Sequence, residues 1–265
     1  MADKKISIIG CGNIGLSILQ GILKNETIPA MNITVTKRNI QELSYLNEVG
    51  VRLTTDNISA VKESELIIIA VKPYNITNVL EEIKDHLDPL NHILISVTAG
   101  VTISEILKIV GVPVRVFRVM PNISASVGKS VSCICHNGAN IKEIESVKNL
   151  FDIMGTTMTI DEELMQSATM LGACGIAYVL RFIRAMVQGG IQIGFDAKTA
   201  SAIVNYTVKG AAELLIENNE HPEFEIDKVT TPKGCTIVGL NEMEHNGFSS
   251  SLIKGIVASF DKIEK

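Results

Sequence analysis

The sequence predicts an α/β chain in which a doubly wound parallel sheet is followed by an all-helical domain. Over residues 1–160, short aliphatic runs alternate with amphipathic helical patterns, which is typical of parallel strands covered by helices on both faces. After residue 160 the pattern is helical almost throughout. Because 265 residues are enough for two hydrophobic cores, we expect two domains, residues 1–160 and residues 161–265.

The strands are predicted where the aliphatic runs lie and the helices where apolar residues recur at spacings of three and four. The predicted strands are Ile6–Ile9, Ile33–Thr36, Leu66–Ile69, Ile93–Val97, Val114–Phe117, Ser130–Cys135 and Thr156–Ile160. The predicted helices of this domain are Ile14–Lys24, Gln41–Glu48, Ile76–Lys84, Ile103–Ile109 and Lys142–Phe151.

The carboxyl-terminal domain is predicted to contain two long helices, Leu164–Gly190 and Ala197–Glu217, and shorter ones over Thr236–His245 and Ser249–Ile263. The first carries apolar residues around most of its circumference, so it must be buried on several sides. In so small a domain the simplest cover is a second subunit, and we therefore expect at least a homodimer. No apolar run is expected to reach membrane-spanning length, so no membrane partner is predicted.

Composition narrows the class of protein further. The net charge is −5, without the basic field that binds a phosphate backbone, which argues against nucleic acid as a partner. The five cysteines lack paired spacing, so we expect reduced thiols rather than disulfides. Met1–Lys5 leads directly into a strand without a long apolar segment, so we expect a cytoplasmic protein. The histidines have no partners at ligand spacing, and we predict no metal site.

A glycine-rich loop, Gly10-Cys11-Gly12-Asn13-Ile14-Gly15, joins the first strand to the first helix. Such a motif alone is a weak signal, but this position is the one that dinucleotide-binding folds require. There Gly10 makes the tight turn, Gly12 admits the diphosphate and Gly15 packs helix against strand. The helix N-terminus adds free N–H groups for the diphosphate. We therefore predict a Rossmann-type domain.

The residues after the second strand indicate which dinucleotide is bound. An acidic residue there favours NAD, whereas a basic one accommodates the 2′-phosphate of NADP. The chain has Lys37-Arg38-Asn39, and no carboxylate follows until Glu42. A solvated basic pair is the other interpretation, but the position favours a phosphate clamp. We predict NADPH, with NADH as the alternative.

Two further strand ends, Val71-Lys72-Pro73 and Thr98-Ala99-Gly100, are expected to line the ligand crevice at the carboxyl edge of the sheet. A surface lysine before a rigid turn is the other interpretation of Lys72, but its neighbours favour contact with the cofactor.

Motifs in both halves of the chain identify a family. The motifs are Ile9–Ile14, Asn57, Ala70–Pro73, Ala99-Gly100, Arg118–Asn122, Thr230–Thr236, Gly239-Leu240 and Gly247-Phe248. The last three are the specific ones. Over nearly its whole length the chain resembles 1-pyrroline-5-carboxylate reductases, which catalyse the last step of proline biosynthesis.

The resemblance implies NADPH-dependent or NADH-dependent hydride transfer to the cyclic imine carbon of 1-pyrroline-5-carboxylate, which gives L-proline. It also implies a Rossmann domain, a helical dimerisation domain and dimers that assemble into decamers. With Arg38 added from its position, the predicted cofactor residues are Ile9, Gly10, Cys11, Gly12, Asn13, Ile14, Lys37, Arg38, Asn39, Asn57, Ala70, Val71, Lys72, Pro73, Val97, Thr98 and Ala99.

The predicted substrate residues are Glu162, Thr231, Gly234, Cys235 and Thr236. By resemblance, Thr236 is the catalytic residue whose hydroxyl bonds the ring nitrogen, and Glu162 matches a substrate-site position. The residues themselves agree, because a Pro/Gly turn before a helix presents N–H groups that can bind a carboxylate. We expect Gly234, Cys235 and Thr236 to supply them. A plain helix-entry turn is the alternative.

Departures from the family pattern lie around the predicted substrate pocket. Gly172–Tyr178 replaces Ser-Gly-Ser-Gly-Pro-Ala-Tyr and is expected to form a more regular helix, since the proline is gone. Arg184 replaces an acidic residue, Ile123-Ser124 replaces Thr-Pro, and Lys233 replaces a glycine. Two alternatives therefore stay open: a reductase of another cyclic imine, and a catalytically impaired NADPH-binding regulatory paralogue.

Overall fold

One eight-stranded sheet organises the amino-terminal part of the computed structural model, which describes residues 3–263. The strand order is β3-β2-β1-β4-β5-β6-β7-β8. The strands are β1 (Ile6–Ile9), β2 (Ile33–Thr36), β3 (Arg52–Thr54), β4 (Leu66–Ile69), β5 (Ile93–Ser96), β6 (Arg115–Met120), β7 (Ser130–His136) and β8 (Gly155–Thr159). The order reverses beside β1, so the sheet is doubly wound and the predicted fold class is confirmed.

The sheet is parallel except at one pair of strands. Strands β1 to β6 pair in parallel and so do β7 and β8, but β6 and β7 are antiparallel. The connection over residues 121–129 is too short for the helical crossover that parallel neighbours need. Strand β3 was not predicted, because Arg52 is exposed and the aliphatic run there is short.

Helices cover both faces of this sheet. They are α1 (Asn13–Asn25), α2 (Tyr45–Glu48), α3 (Asn57–Lys62), α4 (Pro73–Ile83), α5 (Ile103–Val110) and α6 (Ile141–Asp152). One apolar layer includes Ile8 together with Ile18 of α1 and Phe151 of α6, and the other includes Ile69 together with Leu80 of α4 and Ile106 of α5. Alternate residues of β1 and β4 serve the two layers, which explains their continuous aliphatic runs.

The segment that replaces the family's proline-containing break is not the more regular helix that we predicted. Helix α7 (Met165–Ala168) continues into a π-helical turn over Thr169–Cys174, and α8 (Gly175–Gln192) follows. The side-chain amide of Asn122 donates a hydrogen bond of 2.9 Å to the Gly172 carbonyl in this turn. That contact joins residues far apart in the chain, so helical periodicity could not reveal it.

The chain divides into two compact units after Cys174. Met165 of α7 is buried in the same apolar layer as Ile106, so the first unit extends through α7 and the π-helical turn. The domain boundary between residues 160 and 161 stays a prediction.

The second unit, Gly175–Lys262, is helical. After α8 it contains α9 (Ala197–Asn218), α10 (Pro222–Lys228), α11 (Cys235–His245) and α12 (Phe248–Ile263), and the short α10 was not predicted. Its buried apolar side chains in the described chain are Val187, Ala200 and Val204, whereas Ile193 and Ile216 are 79% and 75% exposed. So much uncovered apolar surface is typical of a surface that binds another subunit.

The helical segment Glu162–Gln192 contains an 18-residue window with a mean hydropathy of 1.6, so it is long and apolar enough to cross a membrane by length and composition. The expectation that no apolar run reaches this length is therefore wrong. Helices buried between protein subunits have the same composition, so length and hydropathy alone do not place the segment in a membrane.

Candidate functional site

A cleft of about 780 Å³ lies at the carboxyl ends of β1, β2 and β4, within the first unit. This is the edge at which doubly wound sheets bind their ligands. Most of the predicted cofactor residues line it, namely Ile9, Gly10, Cys11, Gly12, Asn13, Ile14, Lys37, Arg38, Asn39, Asn57, Ala70, Val71 and Lys72.

Each glycine of the loop is required for a different structural reason. Gly10 has a φ of +92°, and a Cβ there would come within 2.7 Å of Val71 Cγ1 and 2.9 Å of the Ala70 oxygen. A Cβ on Gly15 would lie 2.3 Å from the Gly10 oxygen. A Cβ on Gly12 would meet no described atom within 4 Å, so a side chain here would project into the open space of the cleft, which glycine leaves free. This backbone fits a diphosphate that approaches Gly12 closely.

Helix α1 begins directly after Gly12, which caps it without a side-chain hydrogen bond in the described structure. Its first turn contains no acidic residue, so the N–H groups and the positive end of the helix dipole are available to an anion. Cys11 is buried beside them, and burial raises the pKa of its thiol to about 11. The thiol is therefore neutral at physiological pH and acts as a packing group in the loop.

A chain of hydrogen bonds connects the glycine loop to α4. The Gly10 N–H points to Thr36 and lies 3.3 Å from its Oγ1, and this hydroxyl donates to Asn57 Oδ1 at 2.7 Å. The Asn57 amide then donates to Glu82 Oε2 at 2.8 Å. Thr36 is buried, so it fixes the loop to the end of β2 and holds Asn57 at the start of α3.

Two residues after β2, Lys37 and Asn39, share the carboxylate of Glu42. Lys37 Nζ lies 2.6 Å from Glu42 Oε2, and the Asn39 amide donates to Glu42 Oε1 at 3.1 Å. The hydrogen bond with Glu42 raises the pKa of Lys37, and Lys37 lowers the pKa of Glu42, so both are charged at neutral pH. Arg38 is exposed and has no hydrogen bond or ion pair within residues 3–263.

Some predicted cofactor residues do not line the cleft, namely Pro73, Val97, Thr98 and Ala99. Pro73 is the first residue of α4, and Val97 is buried. Thr98 is also buried, and its hydroxyl donates to the Val71 carbonyl at 3.1 Å, so it supports the loop that does line the cleft. Their contact with a cofactor stays a prediction.

The cleft also contains residues that were not predicted. They are Thr36, Thr55, Tyr74, Asn75, Asn78, Val79, Glu82 and Ile123. Tyr74, Asn78 and Glu82 recur at a spacing of four on α4, so one face of this helix forms a wall of the cleft. The spacing after Pro73 is the signal that could have revealed them.

Glu162 is already engaged by the fold. Its Oε1 accepts from Arg118 Nη1 at 2.8 Å and from the Ile103 N–H, at the start of α5, at 2.7 Å. Arg118 is only 4% exposed, and its Nε has no partner in the described structure. The carboxylate thus compensates a buried cation, and its predicted contact with substrate stays a prediction.

The turn before α11 has the tight geometry that its glycine suggests. The Gly234 N–H donates to the Thr231 carbonyl at 2.8 Å, and a Cβ on Gly234 would lie 2.6 Å from Thr231 Oγ1. The expectation that the Gly234 N–H is free for a carboxylate is therefore wrong. Lys233 has a φ of +62°, a left-handed conformation that favours the family's usual glycine.

Thr236 lies in the first turn of α11, which begins at Cys235. Both residues are exposed, and their N–H groups have no backbone acceptor within residues 3–263. All the predicted substrate residues except Glu162 belong to the second unit, whereas the lining of the cleft comes from the first.

Comparison with known proteins matches each half of the chain to a family model and the whole chain to named reductases. Residues 162–265 match the family described as pyrroline-5-carboxylate reductase dimerisation, and residues 5–100 match NADP oxidoreductase coenzyme F420-dependent. The chain is 40% identical to pyrroline-5-carboxylate reductase 2 of Dictyostelium discoideum, over 99% of this chain and 93% of the relative.

Pyrroline-5-carboxylate reductase 1 of the same organism is 42% identical over 98% of this chain, which spans only 49% of that longer relative. A crystal structure of Plasmodium falciparum pyrroline carboxylate reductase with NADP bound superimposes with a TM-score of 0.91 at 26% identity, over 99% of this chain and 98% of that one. The resemblance found in the sequence motifs is thus confirmed, and the chain belongs to the pyrroline-5-carboxylate reductase family.

Proposed function

We propose that this chain catalyses the NADPH-dependent reduction of 1-pyrroline-5-carboxylate to L-proline. The observation that carries the proposal is the open space at Gly12, where the backbone fits a diphosphate. The chain is also 40% identical to a named reductase, over 93% of that reductase's length. The basic residues Lys37 and Arg38 in the same cleft favour NADPH over NADH.

When bound, the reduced nicotinamide supplies the hydride. The residues of this chain hold and orient it: the N-terminus of α1 binds the diphosphate, and Lys37, Arg38 and Asn39 bind the adenosine ribose. The hydrogen bond from Thr98 to Val71 supports the loop that follows β4, where we place the nicotinamide. Correct orientation accounts for most of the rate enhancement, because the reaction needs few other groups.

In the substrate site, Thr236 Oγ1 accepts the N–H of the protonated cyclic imine, and the N–H groups of Cys235 and Thr236 bind the substrate carboxylate. As hydride reaches the imine carbon, the π-electron pair of the carbon–nitrogen bond moves to nitrogen, and the positive charge disappears. The nitrogen already carries its proton, so no separate acid is required. This explains how the site can work without a catalytic histidine.

The exposed apolar surface of the second unit and the match to the dimerisation family support a homo-oligomer. We place a homodimer, from which a decamer can assemble, in the cytoplasm, with the exposed apolar face of α8 buried between subunits. Light scattering of detergent-free protein tests this, and a monodisperse monomer would contradict it.

The activity is tested by mixing purified protein with NADPH and racemic 1-pyrroline-5-carboxylate, while the loss of reduced nicotinamide and the formation of proline are measured. We expect equal amounts of NADPH consumed and proline formed. Binding of NADPH without consumption would favour the impaired regulatory paralogue. Turnover of other cyclic imines without this one would favour the altered reductase.

A further inference from the structure

We infer that Glu42 is a specificity-determining residue that weakens the preference for NADPH and admits NADH. Glu42 is not one of the residues that line the cleft, but it contacts two that do. One carboxylate oxygen accepts a hydrogen bond from Lys37 Nζ at 2.6 Å, and the other accepts one from the Asn39 amide at 3.1 Å. This inference rests on the proposed function, because it requires a nicotinamide dinucleotide in the cleft.

The position of Lys37, Asn39 and Glu42 determines which part of the dinucleotide they contact. The Gly10 N–H bonds to Thr36, so the glycine loop is fixed next to the end of β2. Lys37, Arg38 and Asn39 follow Thr36 directly, at the position where doubly wound folds bind the 2′ group of the adenosine ribose. Glu42 therefore already holds two of the three groups that we place at the adenosine ribose, and Arg38 is the third.

The charges show how Glu42 shifts the preference. Lys37 and Arg38 contribute two positive charges and Glu42 removes one, so Arg38 is the cation left without a counterion in the described structure. A 2′-phosphate carries nearly two negative charges and must draw Lys37 and Asn39 away from the carboxylate while lying near it. Both effects oppose NADPH.

Glu42 affects the binding of NADH differently. It has a 2′-hydroxyl in place of the phosphate, and a carboxylate at this position can accept a hydrogen bond from it. Glu42 is 59% exposed at its side chain, so it can rotate toward the ribose without breaking the packing of the core. One residue therefore disfavours NADPH and supports NADH at the same site.

The test compares wild type with Glu42→Gln, which keeps the shape and removes the charge. Calorimetric titration with NADPH, NADH, 2′,5′-ADP and 5′-AMP reads the adenosine end directly, without turnover. We expect NADPH and 2′,5′-ADP to bind roughly tenfold more tightly, the order expected when one like charge is removed a few Å from a dianion. NADH and 5′-AMP should bind equally well or more weakly.

Glu48→Gln is the matched control, because Glu48 is an exposed glutamate on the adjacent α2 and does not contact Lys37. It should leave all four affinities unchanged. Adding Lys37→Gln to the Glu42 variant should return the affinity for 2′,5′-ADP toward the wild-type value.

Unchanged or weaker binding of both phosphate-bearing probes by the Glu42 variant would overturn this inference alone, as would an equal gain in the Glu48 control. Failure of the wild type to bind any of the four probes would overturn the proposed function with it. Binding without turnover of 1-pyrroline-5-carboxylate would refute only the proposed reaction, and the affinities would still decide the role of Glu42.

Discussion

Replacing Glu162 with alanine removes one carboxylate oxygen that two donors share. Arg118, which is 4% exposed, then keeps its charge inside the first unit without its ion-pair partner, and the Ile103 N–H loses its acceptor at the start of α5. Breaking a buried ion pair from one side costs about 3–5 kcal/mol. The Glu162 side chain is 34% exposed, so water reaches the vacated space and the lower end applies.

We therefore expect Glu162→Ala to lower the free energy of unfolding by about 3 kcal/mol, which corresponds to a fall in Tm of roughly 6–12 °C. Thermal unfolding followed by circular dichroism, without cofactor, measures it. Glu163→Ala is the matched control, because Glu163 is the neighbouring exposed glutamate and has no hydrogen bond or ion pair in the described chain.

Equal Tm values for these two variants would refute the stabilising role of Glu162. A second comparison separates the ion pair from local disruption. Replacing both partners, Arg118→Met with Glu162→Leu, removes the buried charge itself and should recover much of the lost stability. If the double variant is no more stable than Glu162→Ala, the buried cation is not the source of the loss.

Three further substitutions test the glycine loop and the turn before α11. Gly12→Ala should leave Tm unchanged but weaken NADPH binding at least tenfold, because its methyl group enters the open cleft, whereas Gly10→Ala should lower stability by about 2–4 kcal/mol through its left-handed backbone and its contact with Ala70; unfolding and calorimetry distinguish them. Lys233→Gly should raise stability by roughly 0.5–1 kcal/mol, since glycine adopts its φ of +62° without steric strain, and a lower Tm would contradict this. Thr236→Val should lower kcat about 100-fold with an unchanged Kd for NADPH, as expected for a lost hydrogen bond to the reacting group, whereas Thr207→Val, which removes a hydroxyl bonded within α9, should change neither.

The elements that the sequence predicted correctly are those specified by local pattern. The strand Ile6–Ile9 and helix α1 follow from an aliphatic run, a glycine loop and apolar spacing, all within a few residues. Local pattern does not predict the antiparallel direction of β7 or the π-helical turn. The direction of a strand depends on how its connection runs in space, and the turn includes a bond from Asn122 to Gly172 across 50 residues.

The candidate site follows the same division. The glycine loop and Lys37–Asn39 were predicted because their positions relative to two strands are fixed by the fold class. Glu82 and Tyr74 were missed, since their spacing on α4 places them on one face of the helix, but only tertiary packing brings that face to the cleft. Pairing between Glu162 and Arg118, 44 residues apart, gives no signal in the sequence pattern at all.

The second unit buries few apolar side chains within one chain, and this has a consequence for how the protein behaves as its concentration changes. If association supplies the missing cover, mass action links folding to encounter between chains. Dilution then unfolds the helical unit at temperatures that a concentrated solution tolerates. Newly made chains must also find one another before this unit acquires its full stability, whereas the sheet with its two apolar layers is complete in each chain.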